Sequence, residues 1–591
     1  MMNQTYQADV LVVGGGVGGT AAAIQAARRG AKTILVSEFA WLGGMLTSAG
    51  VSVPDGNELE AFQTGLWGEF LRELQHRQLE GLDHSWVSFF SFDPRVGAQI
   101  FADWVHELAN LHWIVGEVPL EVFREGSCVT GVRFSDFIVK AKITLDGTEL
   151  GDLLALAEIP FRWGWEWRSQ WGEPSAPESP NPLTEKYPVQ APTGVVLMQD
   201  FGTDIAPEIP PAPNYDPSKF AGAWDGYGAE QFLNYGRLPG GLLMLNWPIC
   251  GNDYGEGLGR LLGSKASRDE YIQESRWHSQ NFAHYIQNQV GRRYGLATQV
   301  FPHSPTAFAL HPYYRESRRL VGMTTITEQN ILPVSGGQVA SLNIDAIAIA
   351  NYPNDHHYPG FNFPLQPKSI RWGGRWTGTP FTIPYSSLIP ATIDGFLVCE
   401  KNISVSHIAN GATRLQPVVM GIGQAAGMAA AMCVELNCQP RDLPARALQM
   451  ALLEDKRSPA AIIPLFNSTL AHPQWIRSQI NYLNNPASYP LDGNCPGLIS
   501  STCNYESVNP VLSRLSNCFT GVFHRLHQQD YRFSIMTPTT HQKQIWQLVT
   551  LRSHIDEQLK ACLDGQLVTV DSRLNSAGNW LLVEHLVIES S

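Results

Sequence analysis

The sequence predicts an α/β protein. A parallel sheet with a β-meander is assembled from two separate stretches of chain, an α+β region is inserted between them, and a small β-rich module follows at the C-terminal end. Three observations carry this prediction. An apolar run, Val10 to Val13, leads into glycines at 14, 16 and 19 and then an alanine-rich helix pattern. A second small-residue stretch, Pro417 to Val434, has no charged residue and lies far downstream. After an Asn-, Pro-, Ser- and Gly-rich segment at 476–514, several short strand-like runs follow.

The first element is the run Val10 to Val13, continuous enough to be a strand buried on both faces. Thr20 to Arg29 reads as a helix stopped by Gly30, and Lys32 to Ser37 as a second strand ending at Glu38. The glycine spacing has a mechanical reason. Gly14 permits a tight turn, Gly16 lets the backbone approach a pyrophosphate, and Gly19 lets the helix pack on the strand. Amides at the helix start point at the phosphate. Glu38 is placed to accept hydrogen bonds from ribose hydroxyls. The unit is Rossmann-like, with Gly14, Gly15, Gly16 and Gly19 as pyrophosphate contacts. This motif serves NAD and FAD alike. Gly43 and Gly44, soon after Glu38, add a second close backbone approach, which suits a ligand that continues past the adenosine, as FAD does.

Residues 93–112 read as a helix, and the alternating pattern that follows, with its turn at 126–127, reads as a β-meander. Residues 138–157 read as a strand, a turn crowded with Asp146, Thr148, Gly151 and Asp152, and a helix. Such a turn at the carboxyl edge of a parallel sheet is where ligands bind. Phe161, Trp163, Trp165 and Trp167 alternate as on one strand face, either a core face or the wall of a substrate pocket. Eleven prolines between 174 and 217 predict an irregular excursion, as lid, linker or surface wrap. Residues 258–297 read as helical. If 311–322 is helical, Arg315, Arg318 and Arg319 share one side, suited to an anion or to internal salt bridges. Asp355, His356 and His357 cluster, but adjacent histidines point apart, so no metal site is expected there.

The downstream cluster has no strand running directly into it and no acid about 20 residues on, so it is not a second nucleotide fold. Gly423, Gln424 and Ala425 are expected at the start of a small-residue helix whose N-terminal dipole faces the far end of the same cofactor. Together, "VVGGGVGGTAAAIQAARRG", "WLGGMLTSAG", "LDGTELGDLLALA", "YYRESRRLVG", "IPYSSLIP" and "SHIANGATRLQPVVMGIGQAAGMAA" resemble the FAD-dependent oxidoreductase family of the glutathione reductase superfamily, near the fumarate reductase and succinate dehydrogenase flavoproteins. The resemblance spans about residues 8–450. It implies FAD along Gly14, Gly16, Gly19, Glu38, Gly43 and Gly44, with Asp146, Thr148, Gly151 and Asp152 at the second turn. Gly423, Gln424 and Ala425 would face the ring, and His407 and Arg414 would lie near it. Where relatives read "VAGR", this chain has Val398-Cys399-Glu400-Lys401.

The resulting organisation is an FAD-binding domain from 1–160 and 371–450, a substrate domain at 161–370, a linker-like segment at 476–514, and a β-rich module at 515–591. That module is expected to cover the sheet edge or to form an oligomer or partner contact. The expected activity is transfer of a hydride equivalent between a small-molecule substrate, an anion fitting the arginines, and flavin. An external acceptor or oxygen then reoxidises the flavin. His407 is expected as acid/base and Arg315 or Arg414 as anion clamp. The alternatives are a flavin monooxygenase or halogenase, and a non-catalytic flavoprotein. Composition narrows the partners. Lys and Arg number 41 against 54 Asp and Glu, a net charge of −13 with no basic stripe, which argues against nucleic acid. Nine cysteines, an odd number without a C-x-x-C, fit a reducing cytoplasm, and the first ten residues lack a signal-peptide pattern. Gln424 and three glycines interrupt 417–434, so a membrane span is not expected there.

Overall fold

The structure is a computed structural model and describes residues 4–302, 307–498, 517–542 and 544–588. Strand β1 (Gln4–Val13) is followed by helix α1 (Val17–Arg28) and β2 (Thr33–Ser37). Strands β3 (Leu111–Val115), β4 (Glu121–Glu125), β5 (Cys128–Arg133) and β6 (Phe137–Asp146) complete the N-terminal part of the sheet. The order is β3-β2-β1-β6-β5-β4. Strands β3, β2, β1 and β6 run parallel. The meander is therefore shorter than the sequence suggests: it comprises β4, β5 and β6, and residues 111–115 form a parallel edge strand instead.

The strand Phe396–Val398 lies parallel to β6 at Thr144 to Asp146, so both stretches of chain are needed to finish the sheet. The long helix Gln416–Leu436 follows. It is apolar and long enough to cross a bilayer, yet 89% of its most apolar window is buried in the fold. Its small residues lie against α1: a Cβ on Gly423 would stand 2.2 Å from the Gly18 carbonyl, and one on Gly427 2.2 Å from that of Ala22. Helix axes this close leave no room for side chains at the crossing.

The inserted region departs from the sequence reading in three places. The proline-rich stretch is not only a surface wrap, because Val196–Asp200 within it is the middle strand of a small antiparallel sheet and its inner residues are buried. Only Phe161–Arg162 of the alternating aromatics is strand, and Trp165 leaves it to pack on His407. Residues 311–322 are extended rather than helical: Tyr313 bridges to Thr193, and Arg319–Leu320 pairs with Phe161–Arg162. The helix expected at 258–297 is Lys265–Val290.

Part of the linker-like segment is ordered structure: Trp475–Asn484 is a helix that buries Trp475 and Tyr482. Residues 499–514 lie outside the described residues. The C-terminal module is a closed barrel of five strands, Asn517–His527, Asp530–Thr537, Ile545–Val549, Leu567–Asn575 and Trp580–Ile588. Their order is first-second-third-fifth-fourth, the third and fifth are parallel, and helix Ser553–Ala561 sits between the third and fourth. This is the connectivity of the OB fold.

Candidate functional site

The turn after β1 is built against the turn after β6. Gly14 has φ +106°, and a Cβ there would stand 2.2 Å from the Gly147 carbonyl. Only glycine meets both conditions. Gly43 donates its amide to Gly15 O at 3.0 Å and to Thr20 Oγ1 at 3.1 Å, and Gly44 abuts Gly16, so this pair braces the turn from behind. Among the described residues, the amides of Gly15 and Gly16 have no acceptor within the chain. Both residues open onto a cleft of about 450 Å³. The cleft is lined by Glu38, just after β2, by Gly14–Gly16, by Thr148 and Glu149, and by Ser48, His311 and Tyr314.

The second turn divides its labour. Asp146 is buried, and its Oδ1 accepts from the amide (3.0 Å) and hydroxyl (2.6 Å) of Thr148. Burial pushes its carboxyl up to about 7, against which those hydrogen bonds act. Thr148 and Asp152 reach the cleft, but Asp152 is already paired, with Arg268 at 2.9 Å and Arg318 at 3.0 Å. Gly151 supplies a left-handed turn against Arg318.

The unusual Glu400-Lys401 pair has a definite place. Glu400 Oε2 accepts the Gly18 amide at 2.7 Å, inside the first turn of α1. Lys401 Nζ lies 2.5 Å from Glu149 Oε2 and 3.4 Å from Glu400 Oε1. Burial raises Glu400, to about 7. It raises Glu149 too, but Lys401 and His311 outweigh burial there and the carboxyl ends below its usual value. On the cleft wall, the His311 ring stacks between Phe39 (5.1 Å) and Tyr314 (5.9 Å). Its Nδ1 lies 2.9 Å from Pro312 O and its Nε2 3.0 Å from Ser48 Oγ. Burial pushes its pKa down, against the charge of Glu149.

The expected roles of Gly423, Gln424 and Ala425 are corrected. The helix begins at Gln416, so all three lie in its interior. Gly423 packs on Gly18. Gln424 accepts the Leu66 amide and donates to Gln25 Oε1 and Ser458 O. None of the three lines the cleft at Gly14–Gly16, and Gln424 instead lines a small pocket of about 20 Å³ with Asn57 and Trp67.

The catalytic candidates separate. His407 is fully buried at the start of helix His407–Thr413. Glu316 Oε1 lies 2.9 Å from its Nδ1 and Tyr358 OH 2.6 Å from its Nε2, so both ring nitrogens are engaged. It does not line the cleft. Arg315 and Arg414 do meet, over the ring of Tyr313 at 4.9 and 6.0 Å. A chain of polar contacts links them. Arg315 contacts Asp253 at 3.0 Å, Asp253 contacts His357 Nδ1 at 2.8 Å, His357 Nε2 contacts Asp355 at 2.7 Å, and Asp355 contacts Arg414 at 3.2 Å. Arg414 also donates to Tyr313 OH at 2.7 Å. Burial favours the neutral Asp355, but His357, Arg414 and Arg315 outweigh it and hold the carboxyl well below the usual range. Its side chain, 42% accessible, is the open end of the chain.

Asp55 stands opposite in character. Burial first, and Glu58 second, push its carboxyl well above the usual range, against Arg375 and Arg414. Tyr235 and Tyr352 share this surrounding and are kept protonated by burial. Two segments lead from the cleft to this cluster. Ser48 and His311 lie on the cleft wall, joined by the Leu310 amide on Ser48 O at 2.8 Å, and the same segments continue to Asp55 and to Tyr313 and Arg315. Sequence reasoning picked out Asp355 and His357 as a cluster. It gave no signal for Asp55, Asp253, Ser48 or His311.

Residues 9–452 match the model of the family described as FAD dependent oxidoreductase. No curated protein matches the chain. Among solved structures, L-proline dehydrogenase from P. horikoshii is 16% identical over 25% of this chain and 23% of its own, with a TM-score of 0.16. Thioredoxin reductase from T. acidophilum is 19% identical over 24% and 36%, with a TM-score of 0.16. The chain thus covers well under half of either. A geranylgeranyl bacteriochlorophyll reductase-like protein from Thermoplasma acidophilum is 12% identical over 87% of this chain and 99% of its own, at a TM-score of 0.32. These likenesses are too slight to carry an argument about substrate.

Proposed function

The chain belongs to the FAD dependent oxidoreductase family, and on that premise we propose that it oxidises or reduces a small molecule bound beside Asp55. The residues present fit the cofactor. Glu38 would take the adenosine ribose, the amides of Gly15 and Gly16 the pyrophosphate, and Thr148, Glu149 and His311 would line the remainder. When bound, FAD supplies a two-electron acceptor or donor for a hydride equivalent.

The observation that carries the reading is a pair of unlike carboxyls, Asp55 and Asp355, in the cluster to which the segments of Ser48 and His311 lead from the cleft wall. Two acids whose surroundings push their proton affinities apart are the usual signature of divided acid and base roles. Burial favours the protonated form of Asp55, which donates its proton to a substrate oxygen. Ionised Asp55 accepts that proton in the oxidative direction. Asp355, kept charged by His357 and Arg414, cannot do this. It fixes Arg414 and Tyr313, whose guanidinium and hydroxyl steady an oxygen-bearing substrate. Tyr235 and Tyr352 exclude water on the remaining sides. His407 and Arg315 act one layer back, through Glu316 and Asp253.

The test is an anaerobic screen of alcohols, amines and hydroxy acids, followed by loss of flavin colour. With a substrate in hand, D55N is expected to slow bleaching by about 10²- to 10⁴-fold, the usual worth of a positioned acid–base group. FAD content should be unchanged. Bleaching by D55N at the parent rate would remove Asp55 from the chemistry.

A further inference from the structure

Two histidine rings face one hydroxyl. Tyr358 OH lies 2.6 Å from His407 Nε2 and 2.7 Å from His356 Nδ1. Burial keeps the tyrosine protonated. A hydroxyl has one hydrogen to give, so it donates to one ring and accepts from the other. The outer nitrogens decide which. His356 Nε2 lies 3.0 Å from Ile408 O, and a carbonyl only accepts, so this nitrogen carries hydrogen. His407 Nδ1 lies 2.9 Å from Glu316 Oε1. Glu316 is itself buried, takes the Gln190 amide at 3.3 Å and stands 3.0 Å from Arg319 Nε, so it faces His407 as a carboxylate. The ring that holds hydrogen on both nitrogens is therefore His407, which has a negative partner. Among the described residues, the His356 ring bonds only to the carbonyl and the hydroxyl. In accord with this, burial first and His407 second push the pKa of His356 well below its usual value. His407 thus donates to Tyr358, and Tyr358 donates to His356.

The same rings tie down a short segment of chain, residues 354–358, along the helix His407–Thr413. Asn354 Nδ2 donates to Ile408 O at 3.0 Å, and the Asp355 amide donates to Gly411 O at 3.4 Å. A Cβ on Gly411 would stand 2.3 Å from Asn354 Oδ1 and 2.6 Å from Asp355 O, so the segment lies this close only on glycine. Successive residues then take different partners. His356 and Tyr358 reach Ile408 and His407 at the start of the helix. Asp355 and His357 reach Arg414 and Asp253 in the candidate substrate cluster. Both ring nitrogens of His357 face carboxylates, Asp253 and Asp355, so both carry hydrogen.

We propose that His407 is a positioning residue for the candidate substrate site: donating from both ring nitrogens, it fixes Tyr358 and His356, and through them the segment that presents Asp355 and His357 to Arg414 and Asp253. This adds a second route to the one through Glu316. It deepens the reading of the Asp55 site given above and rests on it for its functional meaning.

Nitrogen NMR of the full-length protein with labelled histidine rings, and no flavin or substrate added, reads which ring nitrogens carry hydrogen. H278Q, H356Q and H357Q assign those rings by loss of signal, and His407 is the ring whose signals move in both E316Q and Y358F. In the parent, His407 and His357 are each expected to show two N–H nitrogens, and His356 one N–H and one bare nitrogen. E316Q removes the negative partner and is expected to give His407 a bare Nε2, with the tyrosine hydrogen turned from His356 to His407. Y358F keeps the ring packed on Trp165 and removes only the hydroxyl. It is expected to speed exchange of the His357 Nε2–H with water by about tenfold, the worth of one lost hydrogen bond. Exchange at His278, whose Nε2 lies 3.0 Å from Gly251 O in the inserted region, should stay as in the parent, which separates a loosened segment from a general loss of stability. Should Y358F not fold, E316Q gives the same exchange reading. A bare nitrogen on His407 in the parent would overturn the proposal. So would His357 exchange that stays at the parent rate, or that quickens only together with His278. Bleaching by D55N at the parent rate would remove the substrate reading and leave these ring assignments standing.

Discussion

Asp146 shows how a single buried residue sets a pH dependence. It ends β6 without solvent contact, and burial raises its carboxyl from 3.8 to about 7. The folded chain therefore holds this proton more tightly than the unfolded one. The stability it contributes is full below about pH 4 and is lost as pH rises to about 7, falling by at most roughly 1.4 kcal/mol for each pH step of one in between. Asn at this position stays neutral and keeps the acceptor for Thr148. Urea unfolding at about pH 5 and about pH 8 should show D146N losing less stability than the parent across that interval. Equal losses would mean that Asp146 is ionised throughout. At this scale, Gly14, Gly16 and Glu38 were legible because spacing alone dictates their geometry. The surroundings of His407 and Arg315 were illegible for the opposite reason: a sequence shows a histidine or an arginine but not the Glu316 or Asp253 that it contacts. Asp55 is a lone acid in a loop, and its character comes first from burial and then from Glu58, Arg375, Asp355 and Arg414, most of them far from it along the chain.

Among elements, the meeting of α1 with the long helix Gln416–Leu436 governs how the cleft is held. Both carry small residues, and the sequence pattern disclosed both helices. It misplaced the start of the second. Pro417 was the signal available, since proline is favoured in a first helical turn, and it puts Gly423 well inside the helix. Small residues there answer a packing demand rather than a ligand. G423V should then act on cofactor binding only through packing, since its side chain would collide with the Gly18 carbonyl and displace α1. We expect a loss of about 1–3 kcal/mol in stability, with weaker FAD binding. A variant as stable as the parent on thermal unfolding would refute this contact. The extended course of 311–322 was illegible because its arginines suit a helix face as well as a set of buried partners. What fixes it is non-local: Thr193, Asp152 and Glu166 receive its residues.

Across the whole molecule, the discontinuous sheet was readable from two motif-bearing stretches, and Phe396–Val398 of the second does pair with β6 of the first. The barrel was readable as strands but not as a closed, docked unit. Closure pairs residues from both ends of the module, and docking uses segments 83–89 and 369–378, which the local pattern does not connect to it. The account's central claim is that one FAD lies along the cleft from Glu38 past Gly14–Gly16. Flavin titration of the protein stripped of ligand, read by absorbance and equilibrium dialysis, tests this most directly. We predict one FAD per chain, and affinity reduced about tenfold or more in E38A, which loses charge-assisted hydrogen bonds to the ribose at an exposed position. A parent protein that takes up no FAD, or an E38A variant that binds it as tightly as the parent, would contradict the claim.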